Sequence, residues 1–205
     1  MTADPAVPPG LLASLDACTD ASVLLIRHSD RFSIPPGSSD RATRLTAQGE
    51  ARARALGRRL ALPPAWALAS PYLRCVRTAE LVGVTPAPSD LLGAPGAFVI
   101  DSVRGAQVFG ERGTPAVVRG QLRGQTWGCM RPMAEGAALI HRLLQSHARE
   151  RSGFGVAVSH DAIVIPYIGW ATGHDFETEW LDPLDGVVIS SNHVVWRGRR
   201  YEVPL

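Results

Sequence analysis

Apolar residues fall along this chain in short runs, each cut off sharply by polar ones. Val23-Leu24-Leu25-Ile26 is continuous rather than alternating, the pattern of a strand buried on both faces in a parallel sheet. It ends in Arg27-His28-Ser29-Asp30-Arg31, and Pro35-Pro36-Gly37 then breaks the chain into a loop. Thr46 suits a helix N-cap, and the Ala, Arg and Leu content of Ala47 to Leu60 predicts a helix packed through Ala55, Leu56 and Leu60. Trp66-Ala67-Leu68-Ala69 reads as a second strand, stopped by Ser70-Pro71. Tyr72 to Val82 reads as a helix carrying Arg74 in its first turn.

From Gly83 to Pro132 the pattern loosens. Gly and Pro are frequent, and apolar segments are confined to Ala97-Phe98-Val99-Ile100 and Pro115-Ala116-Val117-Val118, which suggests a covering insert. Met133 to Arg149 returns to helical spacing through Ala137, Ile140, Leu143 and Leu144. Phe154 to Val158 is a third strand, ending in Ser159-His160-Asp161. Ala162 to Ala171 follows as a helix whose regularity Pro166 should limit. Gly186 to Ile189 and His193 to Trp196 suggest two antiparallel edge strands, able to pair between subunits in a homodimer. Residues 1–20, rich in Pro and Ala, are expected to be a flexible lead-in to one domain over 21–205.

Composition narrows the class. A chain of 205 residues, 45% hydrophobic and 20% charged, buries one ordinary core. A net charge of +2 gives no field suited to a nucleic-acid polymer. Cys18, Cys75 and Cys129 form neither a disulfide framework nor a zinc knuckle. No apolar stretch approaches the roughly 20 residues of a membrane span. The start of the chain lacks the cationic end and apolar run of a secretory signal. The expectation is a soluble cytoplasmic enzyme.

The three apolar strands end in Arg27-His28, in Ser70 with Arg74 close behind, and in His160-Asp161. Ligands of open α/β sheets bind beyond the carboxyl ends of the strands, so these groups can converge. Two guanidiniums and two imidazoles suit a phosphate dianion. An imidazole nitrogen can also attack phosphorus and split one slow step into two. His28 is the candidate nucleophile, His160 and the arginines stabilise equatorial charge, and a nearby carboxylic acid must protonate the leaving group.

Several stretches resemble the histidine phosphatase superfamily, with its phosphoglycerate mutase-like fold. Leu25-Ile26-Arg27-His28 is similar to the Arg-His-Gly signature, Leu45-Thr46-Ala47-Gln48-Gly49 to Leu-Thr-x-x-Gly, Ser70 to Ala79 to Ser-x-x-x-Arg-x-x-x-Thr-Ala, and Val158-Ser159-His160 to the second-histidine segment. The likeness spans roughly residues 22–172 and leaves the insert, about 83–132, without an alignable motif. It implies a three-layer α/β/α sandwich with a mainly parallel sheet, a phosphohistidine on His28, and a phosphate pocket of Arg27, Arg74 and His160. Arg31 and the His160-Asp161 dipeptide resemble the acid-phosphatase branch, which implies that Arg31 also binds phosphate and that Asp161 donates the proton. No metal or cofactor is implied. The expected partner is a small phosphomonoester.

Other readings stand beside these. Asp101, Glu111 or Glu135 can serve as the acid. Ser29, where the family has Gly, strains the loop if that position needs a positive φ, or lends a hydroxyl to phosphate. His174-Asp175 repeats the His-Asp pair without the further ligands a metal site needs. Cys75 reads as a structural thiol, and Trp127, Trp170 and Trp180 as packing residues. A phosphoglycerate mutase is disfavoured because Ser29-Asp30-Arg31-Phe32 lacks a Ser-x-Trp-Asn continuation. A catalytically silent phospholigand-binding protein is the remaining alternative.

Overall fold

A computed structural model describes residues 7–34, 40–93 and 96–204. Its centre is a seven-stranded sheet of β1 (Val23–Arg27), β2 (Trp66–Ala69), β3 (Pro86–Pro88), β4 (Gly155–Ser159), β5 (Gly186–Ile189), β6 (His193–Trp196) and β7 (Arg199–Glu202). The order across it is β3-β2-β4-β1-β5-β6-β7. The first four in that order run parallel, and β5, β6 and β7 extend the sheet through antiparallel pairings.

Successive residues of a strand face opposite ways, and this chain uses both faces. Val23, Leu25, Leu68, Ala157 and Val187 enter one core with α6 (Met133–Glu150) and α7 (Asp161–Thr172). Leu24, Ile26, Ala67, Ala69, Val156 and Val158 enter the other with α2 (Ala47–Arg59) and α3 (Leu73–Val82). The result is the expected three-layer α/β/α sandwich. Continuous apolar strands make sense here, because neither face of β1 or β4 meets water.

Four expectations need adjustment. The lead-in is not loose throughout: Pro9–Leu12 forms a short helix, α1, with Leu11 fully buried and Leu15 nearly so. The insert contains two helices, α4 (Ser102–Arg112) and α5 (Thr114–Leu122). Gly105, Gly110, Gly113 and Gly120 hid them by lowering helix propensity. Asp101 caps α4 through Val103 and Arg104 N–H, and Gly105 is required where a Cβ would come within 2.7 Å of the Val99 side chain. Pro166 sits inside an unbroken α7. Finally, β5 is interior, between β1 and β6. The edge is β7, whose Arg199, Arg200 and Glu202 are exposed. The Pro35-Pro36-Gly37 loop lies outside the described residues. No helix among the described residues is long and apolar enough to cross a membrane.

Candidate active site

Strand order alone brings the expected groups together. β2, β4 and β1 are adjacent, and Arg27 lies opposite Ser159 while Ala69 lies opposite Val158. His28 N–H donates to the Ser159 carbonyl at 2.9 Å and Ser70 N–H to that of Val158 at 2.9 Å, so the ladder runs one step past each strand. Residues 28, 70 and 160 therefore emerge side by side. The rings of His28 and His160 stand edge to face with centroids 5.4 Å apart.

The motif spacings around His28 each have a packing reason. Thr46 accepts from Gly49 N–H at 3.0 Å, capping α2. A Cβ at Gly49 would meet the Asp30 carbonyl at 2.1 Å, so only glycine lets the helix approach the loop after β1 this closely. Thr78, one turn beyond Arg74 on α3, donates to the Arg74 carbonyl at 2.7 Å and accepts from Ser29 N–H at 3.2 Å. Ser29 itself is fully buried, is not among the positive-φ residues, and donates its hydroxyl to the Gly49 carbonyl at 2.8 Å. Serine in place of glycine therefore brings no left-handed backbone strain. Its hydroxyl proton ties the loop to α2 and is not available to phosphate.

His28 is poised as a free base. Its Nδ1 donates to the Ser29 carbonyl at 2.8 Å, which leaves Nε2 with the lone pair. Burial, reinforced by Arg74 and Arg27, lowers its pKa from 6.5 to about 3. His160 is held in the opposite tautomer: Arg74 Nη2 donates to its Nδ1 at 3.0 Å, and its Nε2–H donates to Ser70 Oγ at 2.8 Å. Burial and Arg74 keep His160 well below the ordinary imidazole range.

These buried neutral rings tie stability to pH. Between about 3 and 6.5 the unfolded chain protonates a His28 that the folded chain leaves neutral, so stability is complete above 6.5 and declines as the pH falls. His160 acts in the same direction. Buried Asp185, raised to about 6, acts in the opposite one. Melting curves from about pH 7.5 to about pH 4 should show Tm falling with acidification, and falling less in His28→Asn. Equal slopes in the two proteins would contradict this account.

Arg74 is nearly buried at the start of α3. Its fork grips Asp40: Nη1 to Oδ1 at 2.8 Å and to the backbone carbonyl at 2.8 Å, Nη2 to Oδ2 at 3.0 Å. The guanidinium also lies 4.9 Å from the Tyr72 ring centroid. Arg27 Nη1 donates to the Leu181 carbonyl, and its Nη2 pairs with Asp161 Oδ2 at 3.1 Å. Both arginines keep a buried Nε–H without a hydrogen-bond partner. Arg31 lines the same cleft, and its Nη1 donates to the Phe32 carbonyl at 2.8 Å.

Asp161 Oδ1 accepts from Ala162 N–H at 2.9 Å, and its Oδ2 accepts from Trp180 Nε1–H at 3.1 Å as well as from Arg27. Every one of these neighbours is a donor. The other acid candidates lie elsewhere: Asp101 is committed to its helix cap, and Glu111 and Glu135 are exposed and do not line the cleft. Sequence reasoning missed Asp40, Tyr72 and Gln121, all of which line the cleft. Asp40 carries no motif, and Gln121 sits on a helix that the sequence pattern concealed.

The remaining residues singled out in the sequence are structural. Cys75 is buried against the Ser159 carbonyl, and burial pushes its thiol up to about 12. His174 pairs with Glu179 at 2.7 Å and packs on Phe176 and Trp196. None of Trp127, Trp170 and Trp180 lines the cleft, although Trp180 reaches it through Asp161. Among the described residues no cluster of three or more His, Cys, Asp or Glu side chains is arranged to hold a metal.

A family model for the histidine phosphatase superfamily (branch 1) matches residues 23–89. The match is to branch 1, so the acid-phosphatase branch suggested by Arg31 and His160-Asp161 is not confirmed. No curated protein matches. Among solved structures, TTHB049 from Thermus thermophilus is 26% identical with a TM-score of 0.53, covering 89% of this chain and 97% of its own. A phosphoglycerate mutase from the same organism is 24% identical with a TM-score of 0.51, covering 90% and 99%. The mycobacterial glucosyl-3-phosphoglycerate phosphatase Rv2419c is 14% identical with a TM-score of 0.55, covering 82% and 88%. With a family model on its early motifs and a shared fold across most of its length, the chain is similar to the histidine phosphatase superfamily.

Proposed function

We propose that this protein is a metal-independent phosphomonoester hydrolase that works through a phosphohistidine on His28. The observation that carries the reading is the orientation of that ring: Nδ1 is committed to the Ser29 carbonyl, and the basic Nε2 stands beside His160 in a cleft lined by Arg27, Arg31 and Arg74. The orphaned Nε–H groups of Arg27 and Arg74 are further donors for an anion. A phosphoryl dianion entering the cleft exchanges with the Asp40 carboxylate on the Arg74 fork, replacing one bidentate acceptor by another.

The Nε2 lone pair then attacks phosphorus. A P–N bond forms as the P–O bond to the leaving group breaks, while the arginines and His160 stabilise the equatorial oxygens. Asp161 is the proposed donor of the leaving-group proton. Water next attacks phosphorus, the P–N bond breaks back to Nε2, inorganic phosphate departs, and the water proton returns to the carboxyl group. Release of inorganic phosphate without isomerisation of a phosphoglycerate separates this reading from a mutase. An acid-labile, base-stable phosphoenzyme separates it from a silent binding protein.

Asp161 makes two roles testable. As proton donor, its change to Asn should slow alkyl phosphates by about 10²- to 10⁴-fold while sparing aryl phosphates, whose oxide leaves without help. Uniform loss across both classes, seen mainly in KM, would instead make Asp161 the residue that positions Arg27.

A further inference from the structure

The cleft is far larger than a phosphoryl group requires. It measures about 700 Å³, within the range of sites that enclose whole drug-sized ligands. Its charge is gathered at one end. His28, His160, Arg27, Arg31 and Arg74 surround the reacting position, and Arg41, another lining cation, lies 5.7 Å from the Tyr72 ring at that same end.

Among the described residues, the rest of the wall is mostly apolar. Phe98, Val99, Ala106, Phe109 and Met130 come from the insert, and Ile163 from α7. Hydroxyls or a carboxylate pressed against such a wall lose water without gaining partners. Apolar surface placed there is stabilised by leaving water.

One group on this wall is out of keeping with it. Gln121, on α5, is 3% exposed, lines the cleft, and has a side-chain Nε2 that is buried without any hydrogen-bond partner. An orphaned buried amide destabilises the protein unless something else satisfies it. Among the described residues, Ser102 and Thr114 are the other uncharged polar side chains on this wall, and neither is hidden from water as Gln121 is.

We infer, resting on the hydrolase reading, that the substrate is a phosphomonoester of a predominantly apolar, ring-sized alcohol bearing one hydrogen-bond acceptor that Gln121 Nε2–H reads. Sugar phosphates and phosphoglycerates, dense in hydroxyls and carboxylates, are the compounds this wall disfavours.

Binding of non-hydrolysable phosphonates tests this independently of turnover. Benzylphosphonate, 4-acetylbenzylphosphonate and 2,3-dihydroxypropylphosphonate would be titrated calorimetrically into the wild type, Gln121→Leu and Phe109→Ala. The aryl compounds should bind at least about tenfold more tightly than the dihydroxypropyl one. The acetyl group should add a further few-fold that disappears in Gln121→Leu. Phe109→Ala should weaken both aryl compounds and leave the dihydroxypropyl one unchanged. Gln121→Leu should melt no lower than wild type, since it removes an unsatisfied amide.

Equal or tighter binding of the dihydroxypropyl compound, an acetyl effect that survives Gln121→Leu, or binding of inorganic phosphate alone would each overturn the inference. Tight aryl-phosphonate binding with no phosphate released from the matching ester would instead sink the hydrolase reading and leave the binding preference standing.

Discussion

His28→Ala should lose phosphatase turnover by about 10⁴-fold or more and form no acid-labile phosphoenzyme, while melting near the wild-type temperature. The size follows from the role: without Nε2 the covalent route is gone, and what survives is whatever catalysis positioning and charge alone provide. Retention of the fold follows from the position. His28 is anchored by its backbone N–H to Ser159, which alanine keeps, and the ring's one hydrogen bond goes to the adjacent carbonyl of Ser29. Below about pH 6.5, loss of a ring that burial holds far below its ordinary pKa also removes a group that costs the folded state free energy to keep neutral. A well-folded His28→Ala protein with full activity would leave the proposed mechanism without a nucleophile.

Arg74→Ala should cost about 10³-fold in kcat/KM, with Arg74→Lys recovering little of it. Lysine supplies the charge but not the planar fork, and Arg74 uses both Nη atoms at once, on the two oxygens of Asp40 and on His160 Nδ1. The variant also changes both histidines. After burial itself, Arg74 is the strongest of the charges lowering His28 and His160, so its removal should raise both imidazole pKa values. Ring proton NMR titration of the free protein checks that shift directly, and steady-state kinetics checks the loss. Lysine restoring full activity would show that only net charge matters at this position, and that the bidentate geometry described above is incidental.

These two effects belong together physically. His28 stays unprotonated because it is buried, with Arg74 and Arg27 beside it, and the same arginines become the phosphate's counter-charge in the proposed reaction. In the proposed reaction one set of guanidiniums both keeps the imidazole unprotonated and receives the dianion. Asp40 fits that logic as the carboxylate that occupies the Arg74 fork in this structure.

The elements legible in the sequence are those whose local chemistry and tertiary role agree. Val23 to Ile26 is apolar at every position because both faces of β1 are covered. Thr46 caps α2 because a hydroxyl there satisfies a free N–H, and Ser70-Pro71 ends β2 where the chain turns into α3. The polar ends of these strands pointed to His28, Arg74 and His160 for the same reason.

What the linear pattern could not supply depended on distant contacts. Gly105 and Gly120 lie inside helices because Val99 and Trp127 leave no room for a Cβ, a steric demand that overrides propensity. β5 is interior because it pairs with β1, from near the other end of the chain, which no local run of residues announces. Asp40 on Arg74, Asp161 shared between Arg27 and Trp180, and the lone amide of Gln121 are likewise products of remote segments meeting. Sequence determined the strands, the helices beside them and the identity of the basic groups at the strand ends, because backbone propensity and burial pattern are local. Only the tertiary structure decided which tautomer His28 and His160 hold, which carboxylates Arg27 and Arg74 grip and which side chains line the cleft, because those follow from distances between residues that the chain order leaves far apart.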